Sequence, residues 1–260
     1  MKHPLRTLLL AVCCGLAAAC TQRQERLKLM SYNIRNGIGI DNIQDIGRIA
    51  RVILREAPDL VALQELNSAT LRVDGRYIAG ELGRMTGMHA TLGRAIGFAG
   101  GSYGVGLLSR TEPLAVRSIP LPGREEARVL LMAEFPDYTV CVTHLSLTPE
   151  DRHASLPLIL QATDTCRKPV LLAGDFNTGD AAAVLAGLGG GFRILSDTTR
   201  MTFPSDNPAV RIDYILGRGL PTSATVPESA VNHTAPASDH CPLWGTPAWK
   251  RGRSEERRCG

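Results

Sequence analysis

The stretch Leu171-Leu172-Ala173-Gly174-Asp175-Phe176-Asn177 ends an apolar run, of the kind that forms a buried strand, on a carboxylate and a carboxamide one residue apart. In extended backbone, positions i and i+2 share a face, so Asp175 and Asn177 are expected to look out together from the mouth of a sheet. A carboxylate that holds or deprotonates a water, beside an amide that donates to a phosphoryl oxygen, is a usable pair for hydrolysis. Taken alone, the same stretch also fits a strand followed by an ordinary Asp/Asn turn. Other segments repeat the form. The run from Leu60 ends on the carboxylate of Glu65, and the run from Thr139 ends on the imidazole of His144. Asp213 sits inside the apolar strand Arg211 to Leu216, where an unpaired charge is costly. Ser238-Asp239-His240 sets an acid and an imidazole side by side, and Asn33 interrupts the strand-like run Leu29 to Arg35. Together these describe a site assembled from strand ends, in which Glu65 offers the hard oxygen donor that Mg²⁺ or Mn²⁺ takes.

The elements that must hold these residues alternate between strand and helix patterns. Asp41 and Asn42 are expected to cap a helix with apolar residues Ile43, Ile46, Ile49, Ile53 and Ala57 at helical spacing, stopped by Pro58. A second helix is expected from about Tyr77 to Met85, closed by Gly87, and strands at about Leu114 to Ile119 and Arg128 to Phe135. A third helix should start at Pro149, a favourable first position, and run to about Thr165 through Pro157. A short helix, Asp180 to Leu188, ends in three glycines.

Residues 1–20 read as a targeting segment: Lys2 and Arg6, an apolar core from Leu8 to Leu16, and a small-residue end at Ala17-Ala18-Ala19-Cys20. Its end resembles a bacterial lipoprotein signal, which would leave Cys20 as the lipid-bearing N-terminus; the alternative is an ordinary secretory peptide cut after an Ala. Either way the chain is expected to be exported, to the periplasm or cell envelope, and an anchor would hold the site near a membrane. Residues 21–247 suit a single α/β domain, and 248–260 a charged, disordered tail. The formal net charge of +4 arises in the leader and the tail, leaving the domain slightly acidic with only Lys28 and Lys168 as lysines. That balance disfavours a high-affinity nucleic-acid reader. The cysteines show no zinc spacing; Cys141 and Cys166 are one candidate disulfide pair, with buried thiols as the alternative. A serine hydrolase is disfavoured because no G-x-S-x-G elbow is present.

In order along the chain, SYNIRNG, LVALQE, SYGVGLLSR, VTHL, LLAGDFN, RIDYIL and SDH resemble the endonuclease/exonuclease/phosphatase superfamily, from about Leu27 to Trp244. The resemblance implies a four-layer α/β sandwich of two packed mixed β-sheets flanked by helices, with the site at one end. It implies a Mg²⁺- or Mn²⁺-dependent hydrolase of phosphoric esters, in which Glu65 is the metal ligand and Asn33 and Asp239 assist around the ion. Asp175 would activate the attacking water, Asn177 and His240 would contact the phosphoryl group, and Asp213 would orient His240. His144, similar in place to a histidine of the family's nucleases and phosphodiesterases, would protonate the leaving oxygen or bind phosphate. Relatives often carry an Asn where Val105 stands. The resemblance fixes reaction class and leaves substrate open: nucleic acid, a phospholipid head group or a small phosphate ester. The chain is expected to act as a monomer. A catalytically silent lipoprotein that keeps the fold for binding is the rival reading.

Overall fold

Alternation along the strands sets the layers. The computed structural model describes residues 24–233 and 237–250; the leader and residues 251–260 of the tail lie outside the described residues. The strands are β1 (Gln24–Arg26), β2 (Leu29–Asn33), β3 (Leu60–Ser68), β4 (His89–Phe98), β5 (Gly101–Ser109), β6 (Ala115–Leu121), β7 (Arg128–Glu134), β8 (Thr139–His144), β9 (Val170–Asp175), β10 (Phe192–Ile194), β11 (Asp213–Arg218), β12 (Ser229–Val231), β13 (Leu243–Gly245) and β14 (Ala248–Lys250). The helices are α1 (Ile46–Glu56), α2 (Ile78–Thr86), α3 (Pro149–Asp164) and α4 (Ala181–Gly187). One six-stranded sheet has the order β12-β13-β2-β3-β5-β4 and the other β10-β11-β9-β8-β7-β6. Both are mixed, because β2 pairs parallel with β3 and β8 with β9 while their other pairings are antiparallel.

Every second side chain of each sheet faces the other sheet. Leu29, Leu60, Ala62 and Leu107 pack there against Leu131, Val140, Val142, Leu171, Ala173 and Ile215. The opposite faces bury against helices: Met30, Tyr32, Val61 and Leu63 with α1 and α2, and Leu130, Cys141, Leu172 and Tyr214 with α3 and α4. Each fully buried Leu or Ile contributes about 1.5–3 kcal/mol relative to exposure, so three apolar layers hold the sandwich. Val105 lies in the layer between the sheets.

Local chemistry moves several boundaries from their expected places. The cap of α1 is Asp45, whose side chain accepts from Arg48 N, so Ile43 precedes the helix and is 60% exposed. Ala57 closes α1 in a left-handed conformation just ahead of Pro58. Pro157 lies inside α3, and Asp180 caps α4. The folded unit runs past residue 247, because β14 pairs with β1. Cys141 and Cys166 are free thiols, with burial pushing the Cys141 thiol up.

Strand direction divides the molecule into two poles. Asn33, Glu65, His144 and Asp175 stand at or near the C-terminal ends of β2, β3, β8 and β9, and Asp213 opens the antiparallel β11 at the same pole. The paired β1 and β14 lie at the other pole, where Trp249 meets Tyr138 in the turn before β8 edge to face.

Candidate active site

The layer between the sheets turns polar at one end by the same alternation that builds its core. Along β2, Leu29 and Ser31 are followed on that face by Asn33; along β9, Leu171 and Ala173 by Asp175; along β8, Val140 and Val142 by His144; along β11, Ile215 is preceded by Asp213. Asn33, Asp175 and Asp213 are buried to 1% exposure or less, and His144 and His240 nearly so. Burial at this depth requires partners for every charge.

Asn33 links the sheets. Its Nδ2 donates to Glu65 Oε1 at 3.0 Å and to Asp175 Oδ2 at 3.1 Å, while its Oδ1 accepts from Arg35 N. Asn33 thus bridges two carboxylates through its N–H groups, and its oxygen is turned to the following loop. Glu65 stands on a β-bulge between Leu63 and Leu66 with φ 58°, a left-handed conformation rare for a non-glycine residue. The bulge re-aims the carboxylate into the mouth, which the simple pattern of a strand ending on an acid did not foresee. Arg35, Asn36 and Asn177 also hold positive φ, so backbone strain clusters around this pole. Asn36 Oδ1 accepts from Asn67 N at 2.9 Å and clamps the loop after β2 to the end of β3.

Asp175 Oδ2 lies 3.5 Å from His144 Nε2 and 3.6 Å from His240 Nε2, and Asp175 Oδ1 accepts from Asn177 N at 2.9 Å. Burial pushes the Asp175 carboxyl up, and nearby Asp213 adds to this, against the two imidazoles. His240 Nδ1 meets Asp213 Oδ2 at 3.0 Å. Burial alone would lower His240, but Asp213, Asp175 and Asp239 outweigh it and raise it to about 10. For His144, burial together with the nearby Arg128 and His240 outweighs Asp175 and Glu125, and its pKa falls to about 4. One imidazole is therefore a cation and the other neutral near pH 7.

Asn177 departs from the expected geometry. The strand ends at Asp175, and Asn177 turns left-handed, so the i, i+2 argument does not apply; its Nδ2 donates to Leu145 O at 2.8 Å and ties the loops after β8 and β9 together. Its second amide hydrogen remains for a ligand. Asp239 is half-buried, 3.6 Å from Arg35 Nε, and Ser238 Oγ donates to the backbone oxygen of Asn33 at 2.7 Å. Sequence reasoning did not single out Thr202, whose buried Oγ1 accepts from the amides of Ile212 and Asp213 and so sets the start of β11. A lone Thr in a loop gives no signal of that task.

Two groups could hold a cation. Asp175, Asp213 and His240 bring ligand atoms within 4.8 Å of one another. His240 engages Asp213 through Nδ1, which leaves Nε2 turned toward Asp175, so the trio can serve as a hydrogen-bonded relay as well as a ligand set. Glu65 fits a hard divalent ion: its carboxyl is pushed up by burial, and further by Asp239 and Asp175, against the Asn33 hydrogen bond. Carboxylates crowded in this way lower one another's cost when a cation sits among them.

The model of the Endonuclease/Exonuclease/phosphatase family matches residues 30–240. No curated protein sequence matches the chain. Among solved structures, an endonuclease/exonuclease/phosphatase from Beutenbergia cavernae DSM 12333 is 22% identical, with a TM-score of 0.69 over 86% of this chain and 72% of that one. The mannosyl-6-phosphatase Bt3783 of Bacteroides thetaiotaomicron VPI-5482 is 19% identical, with a TM-score of 0.67 over 85% and 99%. D. rerio TDP2 complexed with a single-strand DNA product is 22% identical, with a TM-score of 0.63 over 85% and 98%.

Proposed function

The chain belongs to the endonuclease/exonuclease/phosphatase family, and from that premise we propose that it is a divalent-metal-dependent hydrolase of phosphoric esters, acting as a phosphodiesterase. The observation that carries the reading is Asp175: a buried carboxylate at the mouth of the sandwich, held by Asn33 and flanked by two imidazoles in opposite charge states.

Asp175 orients the attacking water and takes its proton; its raised pKa makes it a stronger base than an exposed carboxylate. His240, held by Asp213, presents Nε2–H as a cationic donor to a phosphoryl oxygen. The free hydrogen of the Asn177 amide donates to the same group. His144 sits on the other side of Asp175, neutral until a phosphate dianion or monoanion enters beside it; the anion then favours its protonated form, from which a proton passes to the leaving oxygen. Glu65 would hold Mg²⁺ or Mn²⁺, with Asp239 contributing directly or through water, and Asn33 fixes the Glu65 carboxylate. When bound, such an ion offsets charge on the phosphoryl and leaving oxygens as a Lewis acid. We further propose export by the leader and lipidation of Cys20. The fold is shared by a phosphatase and by a protein bound to a DNA product, so it leaves the substrate open.

The test is turnover of bis(4-nitrophenyl) phosphate by the purified chain. Activity should require Mg²⁺ or Mn²⁺, vanish in chelator, and fall by about a thousandfold or more in Glu65→Ala with the melting transition retained. Full activity in excess chelator, or in Glu65→Ala, would refute the assignment.

A further inference from the structure

Ten large hydrophobic side chains are exposed among the described residues, and six of them stand on loops at the site pole: Ile40, Ile43, Leu71, Tyr77, Leu147 and Met201. Ile40 and Ile43 lie between β2 and α1, Leu71 and Tyr77 between β3 and α2, Leu147 between β8 and α3, and Met201 between β10 and β11. The most exposed are Leu71 at 81% and Leu147 at 65%. Leu71 N donates to Ala99 O, which sets that leucine at the tip of the β4–β5 hairpin. Both sheets therefore contribute apolar tips around one mouth. A collar with an opening at its centre suits a deformable surface: a rigid protein partner seated on it would close the site, whereas a bilayer lets a head group rise into it.

The charges on these loops, on the first turns of α1 and α3 and on the β6–β7 turn discriminate between ligands. Arg48 pairs with Asp41 at 2.7 Å, Arg124 with Asp151 at 3.0 Å, Arg35 with Asp239 at 3.6 Å and Arg200 with Asp197 at 3.9 Å. Arg152 is spent on the carbonyls of Ser146 and Leu147. A polyanion needs a track of cations open to its phosphates, and these guanidiniums are already engaged. A surface of balanced charge with apolar tips matches zwitterionic head groups above hydrocarbon.

We propose that this collar seats the enzyme on a zwitterionic phospholipid surface and that the ester hydrolysed is a phospholipid. The inference rests on the hydrolase reading above and names its substrate class. In the reaction, water adds to phosphorus while the bond from phosphorus to the leaving oxygen breaks; the proton of the water goes to Asp175, and the leaving oxygen takes a proton from His144 and departs as an alcohol.

The test compares the full chain with the triple variant Ile43→Asp, Leu71→Asp, Leu147→Asp. Sedimentation with sucrose-loaded phosphatidylcholine vesicles is read beside turnover of those vesicles and of soluble bis(4-nitrophenyl) phosphate. Both chains carry Cys20→Ser, so neither can be lipidated and vesicle binding reports on the collar alone. Expected are at least tenfold weaker vesicle binding and at least tenfold slower vesicle hydrolysis by the variant, with soluble-ester turnover unchanged. Leu71→Trp supplies a second readout that needs no disruptive change: its emission should shift to the blue on adding vesicles. Vesicle binding equal in both chains, or an unshifted Leu71→Trp spectrum, overturns the collar. Tight binding of a single-stranded oligonucleotide without vesicle binding overturns it in favour of nucleic acid. Vesicle binding with neither ester turned over would sink the hydrolase reading and the substrate assignment, while docking by the collar would stand.

Discussion

Asp213 has one oxygen on His240 Nδ1, and its other oxygen is buried without a hydrogen-bond partner among the described residues. That asymmetry fits a carboxylate kept to orient and charge one imidazole. Asp213→Asn and His240→Ala should each cost about 10²–10³ in turnover, and the double variant should cost scarcely more than either. Additive losses in that cycle would show that the two side chains act apart. Glu65 carries the opposite signature, a carboxyl whose ionised form is disfavoured by burial and by Asp239 and Asp175. Since its folded pKa lies above the unfolded value, ionisation above that value costs stability. Glu65→Gln should therefore melt higher than the native chain when both are in chelator near pH 7, even as activity is lost. An unchanged or lowered midpoint would mean that the carboxylate is compensated by the protein alone. The acids, amide and imidazoles at these strand ends were legible in the sequence because a polar residue capping an apolar run is conspicuous. Thr202 was not, and neither was the left-handed bulge at Glu65, since both depend on contacts between segments distant in the chain.

Between residue and molecule stand the connections that hold His144 and Asp175 in register. β8 and β9 run parallel with His144 opposite Asp175, and Leu145 N donates to Asp175 O at 2.9 Å. Gly174 makes that approach possible: a Cβ there would strike the backbone oxygen of Thr143. Gly174→Ala should separate the two strand ends, destabilise the fold by about 2–4 kcal/mol, and lower turnover more than a core Leu→Ala of equal cost. Equal losses in both would assign Gly174 to stability alone. Beyond His144, Glu125 accepts from Ser146 Oγ at 2.7 Å and 2.8 Å and from Leu147 N at 2.7 Å, joining the β6–β7 turn to the loop before α3. Burial opposes its charge, but these bonds and Arg128 outweigh it and bring Glu125 from 4.5 down to about 2. The folded pKa is depressed, so this clasp contributes fully above about 4.5 and is lost as pH falls toward about 2. Glu125→Ala should lower stability by about 1–2 kcal/mol at pH 7, with the gap to the native chain closing below pH 4.5 in parallel melts. A gap independent of pH would point to packing instead. Helix positions followed from apolar spacing, whereas the cap of α1 slid from Asp41 to Asp45 because the loop between them folds on its own contacts, Ile43 N to Asp41 Oδ1 and Arg48 to Asp41.

At the scale of the molecule, the order of the motifs along the chain foretold the two-sheet sandwich, but it said nothing of where the chain enters relative to the site. A lipid on Cys20 was expected to hold the mouth near its membrane; the topology argues the reverse. β1 begins at Gln24 at the pole away from Asn33 and Glu65, so only three residues lie between the proposed anchor and the far end of the sandwich. The four steps from Cys20 to Gln24 span at most about 14 Å. The nine residues of β5 alone cover about 30 Å between the poles. An anchor on so short a tether would turn the proposed collar outward, toward a surface other than the one carrying the anchor. Inserting about 20 Gly/Ser residues between Cys20 and Gln24, with an r.m.s. reach of about 25 Å, would let the domain turn over. Reconstituted in vesicles of distinguishable labelled lipid, the extended chain should hydrolyse lipid of its own vesicle several-fold faster than the native chain, with lipid in added vesicles hydrolysed at the same rate by both. Equal hydrolysis of the anchoring vesicle by both chains would show that the domain reaches its own membrane without added length, and would place the anchor and the mouth on the same side.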